Sequence, residues 1–246
     1  VSREDVVLAT KAGLSRRDGV RRVDASRRAL LAQLDASLER LGTDHVDLWQ
    51  GHAWDPATPV QEVMAALETA VTTGRAAYVG ISNYAGWQTA QAATWQAAVP
   101  GRVPLASTQV EYSLLNRDVE DEVLPASRAL GLGVLPWSPL GRGVLTGKYR
   151  TGTPSASRAA SARFSGFVDP YLDPVSARVV EAVAKAADGL EWTPLEVALT
   201  WVRDRRGVTA PIVGARTTSQ LRAILTTEEL VLPAEISDAL DDVSGG

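Results

Sequence analysis

Lys11, His52, Ser82, Asn83, Gln109 and Trp137 each lie at or beside the end of a short apolar segment. The chain holds three lysines (Lys11, Lys148, Lys185) against 22 arginines, so a lysine ending an apolar run points to a task that needs a compact ammonium. His52 follows the neighbouring segment, one strand along. Asn83 and Gln109 carry a donor and an acceptor on one planar group, which suits recognition of another carboxamide such as that of nicotinamide. Ser82 adds a hydroxyl, and Trp137 offers a face on which a flat heterocycle can stack. Two glycine-bearing loops complete the set, Leu140-Gly141-Arg142-Gly143 and Gly214-Ala215-Arg216-Thr217-Thr218. Glycine lets a backbone approach a phosphate, and Arg216 with Thr217 stands just before a predicted helix start, where a phosphate monoester fits. Singly, each residue is an ordinary turn or core choice. As a set around one mouth they describe an aromatic-floored slot with amide readers.

Bringing residues so far apart in sequence to one place requires strand ends that converge. The apolar runs Val6–Thr10, Val46–Gln50, Ala77–Ile81, Ala106–Val110 and Gly133–Pro136 read as strands. Between them lie helical patterns over Ser26–Leu41, Val60–Thr73, Gly86–Ala98 and Val119–Leu130. The first carries Leu30, Leu31, Leu34, Leu38 and Leu41 on one face and ends at Gly42. Gly74 and Gly131 close two of the others. Further on come predicted helices over Val175–Asp188 and Pro194–Arg206, a sixth strand over Ala210–Val213 and a helix from Thr217. Alternating strands and helices predict a parallel sheet of βαβ units. No GxGxxG fingerprint of a doubly wound sheet is present. The fold expected is therefore an α/β barrel of the (β/α)8 type, as one domain over residues 1–246, with the active site at the C-terminal strand ends. Six strands are visible where eight close such a barrel, so the first two are expected to be missing from the front. The stretch Tyr149–Pro174, rich in Ser, Ala, Arg and Gly, reads as an insertion of lid type.

Composition narrows the chemistry. A net charge of −4 with interspersed charges gives no basic face for nucleic acid. Arg16, Arg17, Arg21 and Arg22 form a basic patch read as a solvated turn, with a cofactor or phosphate contact as the lesser reading. The absence of cysteine removes disulfides, thiolate catalysis and cysteine zinc sites, and with only His45 and His52 no histidine metal centre is expected. No apolar run approaches a membrane span, and the expected setting is cytoplasmic.

The motifs Leu8-Ala-Thr-Lys11, Val46-Asp-Leu-Trp-Gln-Gly-His52, Val79-Gly-Ile-Ser-Asn83, Gln109-Val-Glu-Tyr-Ser113, the run from Leu135 to Gly143 and the run from Ile212 to Leu221 together resemble the aldo-keto reductases, from Val1 to about Val243. The resemblance implies an NADPH-dependent reductase of aldehydes or ketones. In it Lys11 would lower the pKa of a catalytic tyrosine and His52 would hydrogen-bond the carbonyl oxygen. Ser82, Asn83 and Gln109 would fix the nicotinamide carboxamide, and Trp137 would stack on its ring. Ser138, Leu140, Gly141, Arg142 and Gly143 would form the pyrophosphate loop, while Gly214, Arg216, Thr217 and Gln220 would hold the adenosine 2′-phosphate end. The family's catalytic aspartate and tyrosine lie upstream of the lysine strand and match none of Tyr78, Tyr84, Tyr112, Tyr149 or Tyr171. Where the family often has Glu and Asn after Gln-Leu, this chain has Arg222, Ala223 and Ile224. Two other readings stand beside this one: a regulatory protein that holds NADPH without turnover, and an aldolase-type barrel with Lys11 as its Schiff-base lysine. Trp54, Trp87 and the 149–174 insertion are expected to line the substrate mouth.

Overall fold

The computed structural model describes residues 2–17, 19–155, 157, 159–162 and 165–245. Of the expected insertion, Ala156, Arg158, Arg163 and Phe164 lie outside the described residues, as does the side chain of Arg17 in the basic patch. Among the described residues there are seven strands: β1 (Ala9–Ala12), β2 (Leu14–Arg17), β3 (Val20–Val23), β4 (Val46–Gly51), β5 (Ala76–Ser82), β6 (Leu105–Glu111) and β7 (Gly133–Trp137). The helices are α1 (Arg27–Leu41), α2 (Val60–Thr72), α3 (Gly86–Ala97), α4 (Val123–Leu130), α5 (Ser165–Val168), α6 (Pro174–Leu190), α7 (Pro194–Arg203), α8 (Thr218–Leu225) and α9 (Ala234–Ser244). Chain contacts divide these into two compact units. Unit 1 holds Val1–Val110 with Glu120–Val134, and unit 2 holds Glu111–Val119 with Leu135–Gly246.

The main sheet has the order β1-β4-β5-β6-β7, with β1, β4, β5 and β6 paired in parallel. This is the succession of βα units the sequence pattern implies. Among the described residues the ladder does not close into a ring.

In unit 1 the leucine spacing of α1 works as expected. Leu30, Leu34 and Leu38 are buried, while Leu41 at the last turn is exposed. Ser26 caps the helix by accepting from the Ala29 N–H, and Gly42 ends it at φ +68°, a conformation that costs glycine nothing. Met64 and Leu67 of α2, Trp49 of β4 and Val79 and Ile81 of β5 complete a continuous core with them. Strand β5 presses closely on β6 at Gly80, where a Cβ would lie 2.6 Å from the backbone oxygen of Ser107.

In unit 2, α6 packs on α7 and α9. Asp173 caps α6 by accepting from the Val175 and Ser176 N–H groups, and Thr193 with Glu196 forms a reciprocal capping box on α7. Trp201 is buried and donates its indole N–H to Asp241 at 2.9 Å.

Several boundaries differ from expectation. The first strand is Ala9–Ala12 rather than Val6–Thr10, and Val6 and Val7 are 44% and 78% exposed. Pairing starts only at Leu8, whose N–H donates to the Asp47 carboxylate at 2.6 Å and whose carbonyl accepts from the backbone of Asp47 and Leu48. Lys11 thus sits within its strand. The basic patch is not a loop but the antiparallel β2–β3 hairpin. The start of the predicted Val119–Leu130 helix is a separate 3-10 turn, Asp118–Glu120. The sixth predicted strand reduces to one parallel bridge, Trp137 to Ile212, closed by the Ile212 N–H on the Pro136 carbonyl at 2.7 Å.

The Gly80 contact yields a direct test. Gly80→Ala is expected to cost about 1–3 kcal/mol, since β5 and β6 must part to admit the methyl group. It should lower the urea midpoint with little change in slope, and an unchanged midpoint would show that the strands yield freely.

Candidate active site

Unit 1 gathers five of the predicted residues onto adjacent strand ends. The Lys11 ammonium on β1 donates to Gln109 Oε1 on β6 at 2.9 Å. Gln109 Nε2 in turn donates to Gln50 Oε1 on β4 at 2.9 Å, and Gln50 Nε2 donates to Ser107 Oγ at 3.2 Å. This relay runs through side chains that are almost wholly buried. The Gln109 carboxamide therefore has a partner on each side, its oxygen on Lys11 and its nitrogen on Gln50. The Gln109 main-chain carbonyl accepts from Ser82 Oγ at 2.8 Å and from the Asn83 N–H at 2.9 Å. Asn83 adopts φ +58°, rare outside glycine, and its amide nitrogen donates to the His52 carbonyl at 2.9 Å and to Ser82 Oγ at 3.1 Å. His52 is held further by its own N–H on the Ala12 carbonyl at 2.8 Å.

This setting is electropositive. Burial pulls the Lys11 ammonium below its ordinary pKa. Burial first, then the nearby charges of Lys11 and Arg21, push His52 down to about 4. At neutral pH the imidazole is uncharged, so it offers one N–H and one lone pair. Beside it, Trp54 packs edge-on against Tyr84 and Trp87, at 5.1 and 5.4 Å between ring centroids.

Unit 2 holds a cavity of about 500 Å³ whose lining includes Trp137, Ser138, Leu140, Lys148, Gly214 and Arg216. Arg142, Gly143 and Gln220 also line it. The loop beside it has an unusual backbone: Ser138, Gly141, Arg142 and Gly143 all take positive φ, at +54°, +53°, +58° and +93°, and of these Gly141 does not line the cavity. A Cβ at Gly141 would meet Leu115 at 2.7 Å, and one at Gly143 would meet the Lys148 ammonium at 2.8 Å. Thr217, which does not itself line the cavity, caps α8 by accepting from the Gln220 N–H at 3.2 Å, while Gln220 Oε1 accepts from the Arg216 N–H at 2.8 Å. The loop carrying Arg216 is thereby stapled to a helix start.

Arg142 itself is committed elsewhere. Its Nε and Nη2 donate to the two Glu111 oxygens at 2.8 and 2.7 Å, and Nη1 donates to the Phe167 carbonyl. The guanidinium lies 4.0 Å from the Phe167 ring centroid, and Tyr171 donates to the same Glu111 at 3.1 Å. Phe167 also stacks on Trp137, the rings 6.5 Å apart and 16° from parallel.

The profile of the aldo/keto reductase family matches residues 1–244. The chain belongs to that family. Among curated proteins, "Uncharacterized oxidoreductase YrpG" of Bacillus subtilis (strain 168) is 41% identical over 221 residues, covering 87% of this chain and 63% of that protein. "L-glyceraldehyde 3-phosphate reductase" of Escherichia coli O157:H7 is 33% identical, with 89% and 64% covered. An "Aldo-keto reductase" of Fusarium vanettenii is 35% identical, with 85% and 55% covered. The chain thus spans less than two thirds of the length of these relatives. The family's fold is the (β/α)8 barrel, to which the parallel sheet and alternating helices conform. Among the described residues no helix of this aldo/keto reductase chain is long and apolar enough to cross a membrane, and no group of metal-ligating side chains is found.

Two functional candidates escaped the motif reading. Lys148 lines the unit 2 cavity; the scarcity of lysine that singled out Lys11 applies equally to it. Gln50 is the inner half of the Lys11 relay, and its signal is a polar residue inside an apolar strand, Val46-Asp-Leu-Trp-Gln50.

The depressed His52 pKa carries a pH signature. An imidazole in the unfolded chain titrates near 6.5, above the folded value of about 4, so the unfolded state takes up the proton first. The stability tied to neutral His52 is present in full above pH 6.5 and is lost as pH falls toward 4. We expect the urea midpoint to decline across that window in the wild type and less steeply in His52→Gln. The His52 ring resonances in NMR should titrate near 4, and a midpoint near 6.5 would contradict the electropositive setting.

Proposed function

We propose that this chain is the part of an NADPH-dependent aldo-keto reductase that converts an aldehyde or ketone to its alcohol. The observation that carries the reading is the placement of a Lys11 ammonium on β1 and a neutral His52 just past the end of the adjacent β4, with the ammonium held by a buried carboxamide. A bound reduced nicotinamide would supply a hydride to the carbonyl carbon, and the proton that completes the alcohol would come from a general acid, the part the family resemblance gives to a tyrosine other than the five named above. A negative charge then develops on the carbonyl oxygen, and preorganised donors at that point lower the barrier. The neutral His52 imidazole donates its N–H there without giving up a proton, and the Lys11 charge stabilises the same oxygen.

Toward the cofactor, each unit contributes its own groups. In unit 1, Ser82, Asn83 and Gln109 are proposed to orient the nicotinamide carboxamide. Gln109 does so by way of the strand ends it ties together, since its side chain is engaged by Lys11 and Gln50. In unit 2, Trp137 offers the stacking face. The main chain of Ser138, Leu140, Gly141 and Gly143 offers the pyrophosphate cradle, while Gly214, Arg216, Thr217 and Gln220 offer the 2′-phosphate site. The donor set fits a dinucleotide: an aromatic wall, an open glycine backbone at Gly214 and the cations Lys148 and Arg216 around about 500 Å³. Arg142 is proposed to shape this cradle through Glu111 rather than to bind phosphate with its guanidinium.

Tryptophan fluorescence titrated with NADPH, followed by loss of reduced-nicotinamide absorbance on adding aldehydes, tests the reading. Saturable quenching and carbonyl-dependent oxidation are expected. Lys11→Met should lower kcat/KM by about a hundredfold or more with the fold retained by circular dichroism. Arg216→Ala should cut the preference for NADPH over NADH about tenfold, the worth of one charge-assisted phosphate contact. Quenching with no oxidation of any carbonyl would replace the reductase reading with a nucleotide-holding regulatory protein, and no quenching would end both.

A further inference from the structure

The strand that carries Lys11 does not run directly into α1. Gly13, at φ +103°, turns the chain into the β2–β3 hairpin before the helix begins. The base of that hairpin is fixed on the reacting centre of unit 1. The Ala12 carbonyl accepts from the His52 N–H, and the Gly13 carbonyl accepts from the Asp24 N–H at 3.0 Å.

Register then decides what each arginine faces. Leu14 lies opposite Val23, Ser15 opposite Arg22 and Arg16 opposite Arg21. Side chains alternate across a strand, so Ser15 and Arg22 share one face of the hairpin while Arg16 and Arg21 share the other. Arg22 lines a cavity of about 450 Å³ together with Asp24, Asp55 and Thr58, so carboxylates accompany it. Arg16 and Arg21 are exposed, and neither makes an ion pair or a side-chain hydrogen bond among the described residues. Like charges directly opposite on an antiparallel pair destabilise it, so the fold gains nothing from this pairing. The Arg21 charge nevertheless reaches His52. Two guanidiniums on one face of the hairpin, without a carboxylate partner among the described residues and one of them acting on His52, make a fork for a dianion.

We propose that Arg16 and Arg21 clamp an anionic group, phosphate or carboxylate, at the far end of a short carbonyl substrate whose C=O lies at His52. This rests on the reductase reading above and adds the substrate class to it.

The test uses the whole chain with two readouts. In turnover, kcat/KM is compared for glyceraldehyde 3-phosphate against glyceraldehyde, and for 4-carboxybenzaldehyde against benzaldehyde. Without turnover, calorimetry measures the binding of glycerol 3-phosphate and of benzoate to the chain alone. Arg21→Gln should reduce the charged-over-neutral preference about tenfold, and the Arg16→Gln, Arg21→Gln pair should reduce it further. Arg21→Lys should retain part of the preference, which a purely structural role would not do. Rising salt should erode the preference of the wild type more than that of the double variant. The phosphate and carboxylate arms show which anion fits. If Arg21→Gln costs charged and neutral compounds equally, or leaves binding of both anions unchanged, the clamp is overturned while the reductase reading stands. If no carbonyl is reduced but glycerol 3-phosphate binding still weakens in Arg21→Gln, the reductase reading fails and the arginine pair remains an anion site without a carbonyl substrate.

Discussion

A lysine side chain that enters a parallel sheet must find an acceptor, because an unpaired ammonium in such surroundings loses several kilocalories of hydration. Here the acceptor is the Gln109 carboxamide, and the consequence passes from strand to strand. A buried primary amide has both a carbonyl and an NH2 to satisfy, so once Gln109 accepts from Lys11 it must donate inward, and Gln50 receives it. Gln50 then donates to Ser107 on the strand it does not adjoin. Three strands, β1, β4 and β6, are tied to one polar relay. A slip of one residue in any of them would turn its member of the relay to the opposite face. The register of the sheet and the position of the ammonium are therefore one constraint. Ser82 and Asn83 extend it to β5, since both bond the main-chain carbonyl of the same Gln109.

What the sequence made legible were the features that local chemistry decides. The leucine stripe of α1, its Ser26 cap and the Gly42 stop appear where spacing and capping rules put them, because each depends on residues within one or two turns. The strand ends bearing His52 and Asn83 were legible for a similar reason, an apolar run stopped by a polar residue. Strand β1 begins later than the apolar run because Val6 and Val7 lie before the first pairing contact, which Asp47 on another strand sets. Apolarity alone cannot say where a ladder begins. The hairpin's signal in the sequence is Asp18-Gly19, a favoured two-residue corner, but its Ser and Arg flanks lack the apolar alternation that marks strands. Arg142 stood in the expected loop, but its partner Glu111 is 31 positions away and only the fold reveals that its guanidinium is taken.

Charge explains why composition and site point in different directions. The chain is acidic overall, at −4, and this argued against a nucleic-acid face. Each unit nonetheless concentrates cations where the candidate chemistry lies: Lys11 and Arg21 act on His52 in unit 1, and Lys148 and Arg216 line the cavity of unit 2. Net charge averages these away. A small polyanion senses the local field, which decays over about 10 Å in ordinary salt, rather than the sum over the chain. Burial first, and then the same field, sets the protonation state of the imidazole. A histidine among carboxylates would be an imidazolium ready to surrender its proton, whereas one beside Lys11 and Arg21 stays neutral. A neutral imidazole can orient and stabilise an oxygen anion but is a poor proton source for it. On the proposed reading this electropositive setting would draw anions in and at the same time restrict His52 to the role of hydrogen-bond donor.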